Sequence, residues 1–196
     1  NMSDRSQLPH VTPAGRAEWR QWLAQHHADA TGVWLVCYRK STGKLSVTYD
    51  EAVEEALCFG WIDSVANKMD DERFKQLFSP RNPRSGWSRV NKERLERLTA
   101  AGLMAPAGLA AVENAKQNGS WTKLDAVDNL EMPDDLQAAF AAAEAVALQN
   151  FAAFARSTKR GILEWLNNAK RPETRQKRIE QIVSMAARNK RAQFDR

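Results

Sequence analysis

Thr48-Tyr49-Asp50-Glu51-Ala52-Val53-Glu54-Glu55-Ala56-Leu57-Cys58-Phe59-Gly60-Trp61-Ile62-Asp63-Ser64-Val65, followed after a charged turn by Arg73-Phe74-Lys75-Gln76-Leu77-Phe78, is the stretch that decides the fold class. Thr48 with Glu51 three residues on is a capping box, in which each residue satisfies an amide the other end of the first turn leaves open. Val53, Ala56 and Leu57 then recur on one helical stripe until Gly60 ends the helix. Beyond Gly60 the period changes. Trp61–Val65 and Arg73–Phe78 are short, β-rich runs on either side of Lys68-Met69-Asp70-Asp71-Glu72, and they read as a hairpin or two neighbouring strands.

Working outward, Gly32–Tyr38 is β-branched and aromatic with no helical stripe and is followed by the turn residues Ser41-Thr42-Gly43-Lys44, so it is a further strand. Thr12-Pro13 reads as a cap and first helical residue for a helix over 13–27, with Trp19, Trp22, Leu23 and His26 as its packed stripe. From Ser88 onward helices dominate. Ser88 caps a helix carrying Leu95 and Leu98 and stopped by Gly102. Pro106 opens another, with Leu109 and Val112, that stops at Asn118-Gly119. Pro133 opens a third. Leu148, Phe151 and Phe154 mark a fourth, and Ser157 caps a fifth with Ile162, Trp165, Leu166 and Ala169, broken by Pro172. The last carries Ile179, Ile182, Val183 and Ala186. The expected architecture is α+β and predominantly helical, with a small antiparallel sheet of three or four strands inside a helical shell. Residues 1–12 are expected to be disordered or extended, 13–188 a single domain, and 189–196 a frayed tail.

Composition excludes several classes. Of 196 residues, 43% are hydrophobic and 27% charged, which is ordinary globular material. The apolar runs fall short of the roughly 20 residues that a membrane span needs, and no basic-then-apolar leader is visible, so a soluble, cytoplasmic protein without membrane insertion is expected. Cys37 and Cys58 give neither metal spacing nor a disulfide framework, and the three histidines show no ligand pattern; no metal or cofactor is expected. No Gly-rich phosphate loop, nucleophile elbow or dinucleotide fingerprint occurs. The net charge of +5 is concentrated late in the chain: ten basic residues against three glutamates lie between Lys159 and Arg191. Such a segment attracts phosphates or nucleic acid, although a solvated helix face is the more common meaning.

Helical geometry singles out polar residues on apolar stripes. With Ile179 at zero, Arg175 falls at about −40°, inside the stripe, whereas Lys177 falls at about 160° and points away. Asn91 lies about 40° from Leu95 on the same inward side. Asp63, between bulky strand residues, is the anionic partner that an inward arginine requires. The loop Ser79-Pro80-Arg81-Asn82-Pro83-Arg84-Ser85-Gly86-Trp87-Ser88 offers two arginines, three hydroxyls, stiffening prolines and a helix N-terminus behind it, a combination suited to an anion. A satisfied core network that merely fixes the helices is the competing meaning of these residues. Cys58 reads as a small buried hydrophobe, and the tryptophans as core, with Trp61 and Trp87 as candidate stacking walls.

Glu55-Ala56-Leu57-Cys58-Phe59-Gly60-Trp61-Ile62-Asp63-Ser64, Phe78-Ser79-Pro80-Arg81 with Ser85, Trp87-Ser88 and Asn91, Gly102 with Met104, Pro106-Ala107-Gly108, and Ala169–Arg175 with Arg178-Ile179 together resemble the bacterial YdeI/OmpD-associated family, also labelled bacteriocin-protection proteins. The resemblance spans about Trp19 to Arg188. Pro172 departs from the family pattern and leaves open whether the last two helices are continuous. The family implies no established activity. The reading that follows is a cytoplasmic bacterial protein with a pocket for a small anionic or phosphate-bearing ligand, built from Trp61, Asp63, Ser64, Ser79, Arg81, Arg84, Ser85, Trp87, Ser88, Asn91, Lys170, Arg171 and Arg175. Arg81, Arg84 and Arg175 would bind the anion, and Asp63 would orient an arginine or act as a base. The alternatives are a nucleic-acid binder using the basic C-terminal helices and a protein-interaction module without a small ligand.

Overall fold

The computed structural model describes residues 4–195. The described elements are strands β1 (His10–Val11), β2 (Val33–Tyr38), β3 (Trp61–Lys68) and β4 (Arg73–Pro80), and helices α1 (Arg16–His26), α2 (Tyr49–Cys58), α3 (Arg89–Ala100), α4 (Pro106–Asn118), α5 (Asp125–Asp128), α6 (Asp134–Ala142), α7 (Ala145–Ala153), α8 (Arg156–Asn167) and α9 (Pro172–Ala187). The fold is α+β and predominantly helical, as the sequence indicates. The sheet has the order β1-β2-β4-β3. It is mixed and not purely antiparallel, because β1 joins β2 in parallel while β2–β4 and β4–β3 are antiparallel.

Packing divides the chain into two compact units, one up to Thr122 and the other from Lys123. The sequence reads as a single domain over 13–188 because nothing in the composition shifts near Thr122; the division lies in the side chains, which form two separate hydrophobic clusters. In the first unit α1, α2, α3 and α4 share a core with one face of the sheet, centred on Trp19, Leu35, Leu57, Trp61 and Phe78. In the second, the α5–α9 helices close around Leu136, Phe151, Ile162, Leu166 and Ile182.

Local chemistry accounts for the elements. The Thr48–Glu51 capping box is formed in both directions, with Thr48 N–H donating to Glu51 Oε1 at 3.0 Å and Glu51 N–H to Thr48 Oγ1 at 3.3 Å. Gly60 has φ +73°, the left-handed conformation that lets the chain leave α2 and enter β3 at once. Pro172 occupies the first position of α9, so α8 and α9 are separate helices and the proline begins one of them.

Several expectations need correction. Of the segment expected to be disordered or extended, His10–Val11 is extended and pairs with the sheet, but Arg5–Gln7 form a 3₁₀ turn capped by Asp4; residues 1–3 lie outside the description. Thr12-Pro13 does not open α1, which starts at Arg16, and Ser157 lies inside α8, which starts at Arg156. His26, Leu109 and Leu148 are exposed rather than core. The tail is not frayed, since Ala192 is buried and the Phe194 ring lies against Gly161.

Candidate functional site

The carbonyls of Cys58 and Gly60, where α2 passes into β3, anchor two chain segments. Ala105 N–H donates to Cys58 O at 3.0 Å, and Arg81 N–H donates to Gly60 O at 2.9 Å. The first bond docks the start of α4, the second the start of the loop after β4. Docking of α4 is close: a Cβ on Gly108 would sit 2.2 Å from Cys58 O, so only glycine permits this approach. The loop is tied from its other side, where Asn118 Nδ2 and Ser120 Oγ donate to Pro83 O at 2.8 and 2.9 Å.

Between the loop and α4 lies a cavity of about 250 Å³. One wall is the helix face Ala107, Ala110, Ala111, Asn114 and Ala115; the other is Arg81, Asn82, Pro83 and Trp87. The Arg81 guanidinium carbon stands 3.9 Å from the centroid of the Trp87 ring. Its Nη2 donates to Gly86 O at 2.6 Å, while Nε and Nη1 are buried and have no acceptor. No carboxylate lies within ion-pair distance of Arg81 among the described residues. Burial without a counter-charge pushes its pKa down to about 10. A guanidinium in this condition is not a satisfied core arginine, since it lacks both acceptors and a counter-charge.

The other sequence candidates divide into groups. Trp87 lines the cavity. Trp61 does not; it is 1% exposed, donates Nε1 to His27 O and packs edge-on to Trp22. Ser88 caps α3 through Asn91 N–H, and Asn91 is half-buried with its side-chain oxygen accepting from Arg94 Nη1. Asp63 is half-buried and accepts from Tyr49 Oη at 3.1 Å, so its partner is a phenol and not an arginine. Burial and the neighbouring Asp63 raise the Tyr49 pKa. Ser64 is exposed in the irregular stretch of β3, and Ser79 pairs with Ile62. Arg84 is exposed; its N–H, like that of Ser85, is bonded to Asn82.

Lys170, Arg171 and Arg175 belong to the second unit. The helical-wheel reading of Arg175 is right in direction, since it is half-buried, but its partner is Asp135: Nε to Oδ2 at 2.5 Å and Nη2 to Oδ1 at 2.9 Å. This fork lowers the Asp135 pKa and corrects the expected pairing of Arg175 with Asp63. Lys170 and Arg171 are exposed ahead of α9.

Sequence reasoning missed two arrangements. The alanine face of α4 carries no chemical signature, although its 107, 110, 111, 114 and 115 spacing is a helical stripe of small residues. Glu55 is 3% exposed and held by Arg16 Nε at 2.6 Å and Arg20 Nη1 at 2.8 Å; Arg20 also reaches Leu103 O. That network braces α1 against α2. A larger groove of about 560 Å³ along α3 and α4, lined by Trp121, mixes Arg89, Lys92 and Lys116 with Glu93 and Glu96.

Fold and cavity thus define an α+β unit with one unmatched buried arginine, followed by a helical unit. Residues 11–111, just over half of the 196, match the model of a domain of unknown function, DUF8412, and the chain belongs to that family. Residues 129–189 match the family described as Bacteriocin-protection, YdeI or OmpD-Associated. The YdeI/OmpD resemblance therefore holds in the second unit, whereas the Gly60–Asn91 motifs fall in the part matched by the other family. No curated protein and no solved structure matches the chain. No described helix is long and apolar enough to cross a membrane, and no described group of His, Cys, Asp or Glu could hold a metal ion.

Proposed function

We propose that the first unit binds a small anionic ligand in the cavity between the 81–88 loop and α4, with Arg81 as the anion receptor and Trp87 as the ring that holds the guanidinium in place. The observation that carries this reading is that Arg81, two of whose guanidinium nitrogens are buried without an acceptor, lines an open volume. A ligand anion supplies the missing acceptor and the missing counter-charge together. Asp63 does not line the cavity, and no reaction is proposed. We place the protein in the cytoplasm, because both cysteines are free and buried, in keeping with a reducing compartment.

Nucleic-acid binding through the basic helices is less favoured. Arg160, Arg175 and Arg191 are each paired with an aspartate, and Arg178 is turned onto Trp165, so the basic stripe is interrupted.

The test is thermal unfolding of the full chain and of Arg81→Met with inorganic phosphate, sulfate and simple carboxylates, against chloride at equal ionic strength. At a hundred times its dissociation constant a ligand adds about 2.7 kcal/mol to the parent and nothing to the variant. Equal responses of the two proteins to every anion would refute the reading.

A further inference from the structure

Resting on that reading, we infer that the ligand is a monocarboxylate with a small apolar body rather than a phosphate-bearing compound. The cavity brings one cation to the ligand. Its remaining polar groups, Asn82 and Asn114, are neutral amides, and the rest of its lining is Trp87, Pro83 and the alanine face of α4.

A phosphate dianion enclosed in such a site keeps a net negative charge and several oxygens without donors, and phosphate sites meet that demand with a second cation or a row of backbone N–H groups. The cavity lining holds no second cation, and several amides of the loop and of the first α3 turn are already bonded. The Arg81 N–H is bonded to Gly60 O, the Arg84 and Ser85 N–H groups to Asn82, and the Asn91 N–H of the first α3 turn to Ser88 Oγ. A single carboxylate, by contrast, matches one guanidinium in charge. Its body then faces Ala107, Ala110 and Ala111, which have no polar atom to leave unpaired. The volume of about 250 Å³ lies under the range of drug-sized sites, so the body is small.

Titration calorimetry on the full chain with acetate, butyrate, hexanoate, succinate and inorganic phosphate tests this. Affinity rises from acetate through butyrate, by up to about fourfold for each methylene buried against the alanines, while phosphate and succinate bind at least about tenfold more weakly than butyrate. Arg81→Met removes carboxylate binding. Should that variant not fold, Ala110→Leu, at the exposed rim of the same face, keeps Arg81 and narrows the cavity, and it weakens hexanoate more than acetate. Phosphate binding tighter than every monocarboxylate, and lost in Arg81→Met, overturns the ligand class while leaving the anion site standing. Carboxylate affinity that ignores chain length and the Ala110 change also overturns it. If no anion binds, or binding persists without Arg81, the anion site itself fails, and this inference with it.

Discussion

The Arg81 guanidinium carbon stands over Trp87, 3.9 Å from the ring centroid, yet the guanidinium's only hydrogen-bond acceptor among the described residues is Gly86 O. The ring contact compensates part of the burial, but two donors remain without partners. Replacing Arg81 by Met keeps a flexible apolar side chain on the indole and removes the unmatched charge. Without ligand, Arg81→Met is therefore expected to be more stable than the parent by about 1 kcal/mol, the pattern of a site where function opposes stability. Urea unfolding measures it; a variant less stable by 1 kcal/mol or more would mean that Arg81 is a structural residue.

The pKa of Arg81 gives that comparison a pH dependence. Burial lowers it to about 10, so the folded protein releases this proton before the unfolded chain does. The charged group opposes folding at every pH below about 10, and the opposition fades as pH rises from there toward the ordinary arginine value. The advantage of Arg81→Met should be constant from about pH 6 to pH 9 and smaller at about pH 10.5. Paired unfolding curves at about pH 8 and pH 10.5 decide it; an advantage that grows with pH contradicts the assignment.

Arg175 behaves oppositely because its charge is matched. It forks onto Asp135, and the two side chains are 28% and 45% exposed. Solvent screens such a pair, so Arg175→Ala should cost no more than about 1 kcal/mol at neutral pH. The Asp135 pKa is lowered, chiefly by Arg175, so this contribution is complete above the ordinary carboxylate range and disappears as pH falls through the folded value. In acid the parent and Arg175→Ala should converge. A gap that persists there would have to come from packing of the arginine stem.

Glu55 is the buried counterpart. Arg16 and Arg20 both hold it, and it is 3% exposed; Arg16 keeps a second partner in Glu54, so Glu55→Gln leaves mainly Arg20 short of a charge and, with both arginines partly screened by solvent, should cost about 2 kcal/mol. Chemical denaturation reads the loss. A cost under 1 kcal/mol would show that the α1–α2 contact does not depend on this triad.

The parts of the fold legible in the sequence are those fixed by neighbours along the chain. Thr48 with Glu51, and Gly60 between its helix and the strand that follows, are local signals, and each is realised. The loop with Arg81 was legible because arginine, proline and hydroxyls crowd into a few residues. The partner of Arg175 was not, since Asp135 is 40 residues away and an angle on a helix gives direction without identity. The division after Thr122 was invisible for a similar reason: two apolar cores that follow one another without a low-complexity linker leave no mark at their boundary. The alanine face of α4 was hidden because alanine announces no chemistry, and it matters only as the wall opposite Arg81.

That wall stands where it does because of Gly108, which leads to the last expectation. A methyl group at position 108 would meet Cys58 O at 2.2 Å, its carbon at 2.7 Å and Leu57 O at 2.8 Å, all backbone atoms that no side-chain rotation can clear. Gly108→Ala must therefore push α4 away from the end of α2. The Ala105 N–H bond to Cys58 O is then strained, and the cost is about 3 kcal/mol despite the better helix propensity of alanine, which recovers under about 1 kcal/mol. The displacement also moves Ala107 and Ala111 relative to Arg81, so a variant that still folds should lose carboxylate affinity together with stability. The exposed α4 position Glu113→Ala separates this effect from a general sensitivity of the helix, since it lies outside the cavity lining and should change stability by less than about 0.5 kcal/mol. Thermal unfolding and titration of both variants give the answer. If Gly108→Ala were as stable as the parent, α4 would not be seated on Cys58, and the cavity opposite Arg81 would lose its wall.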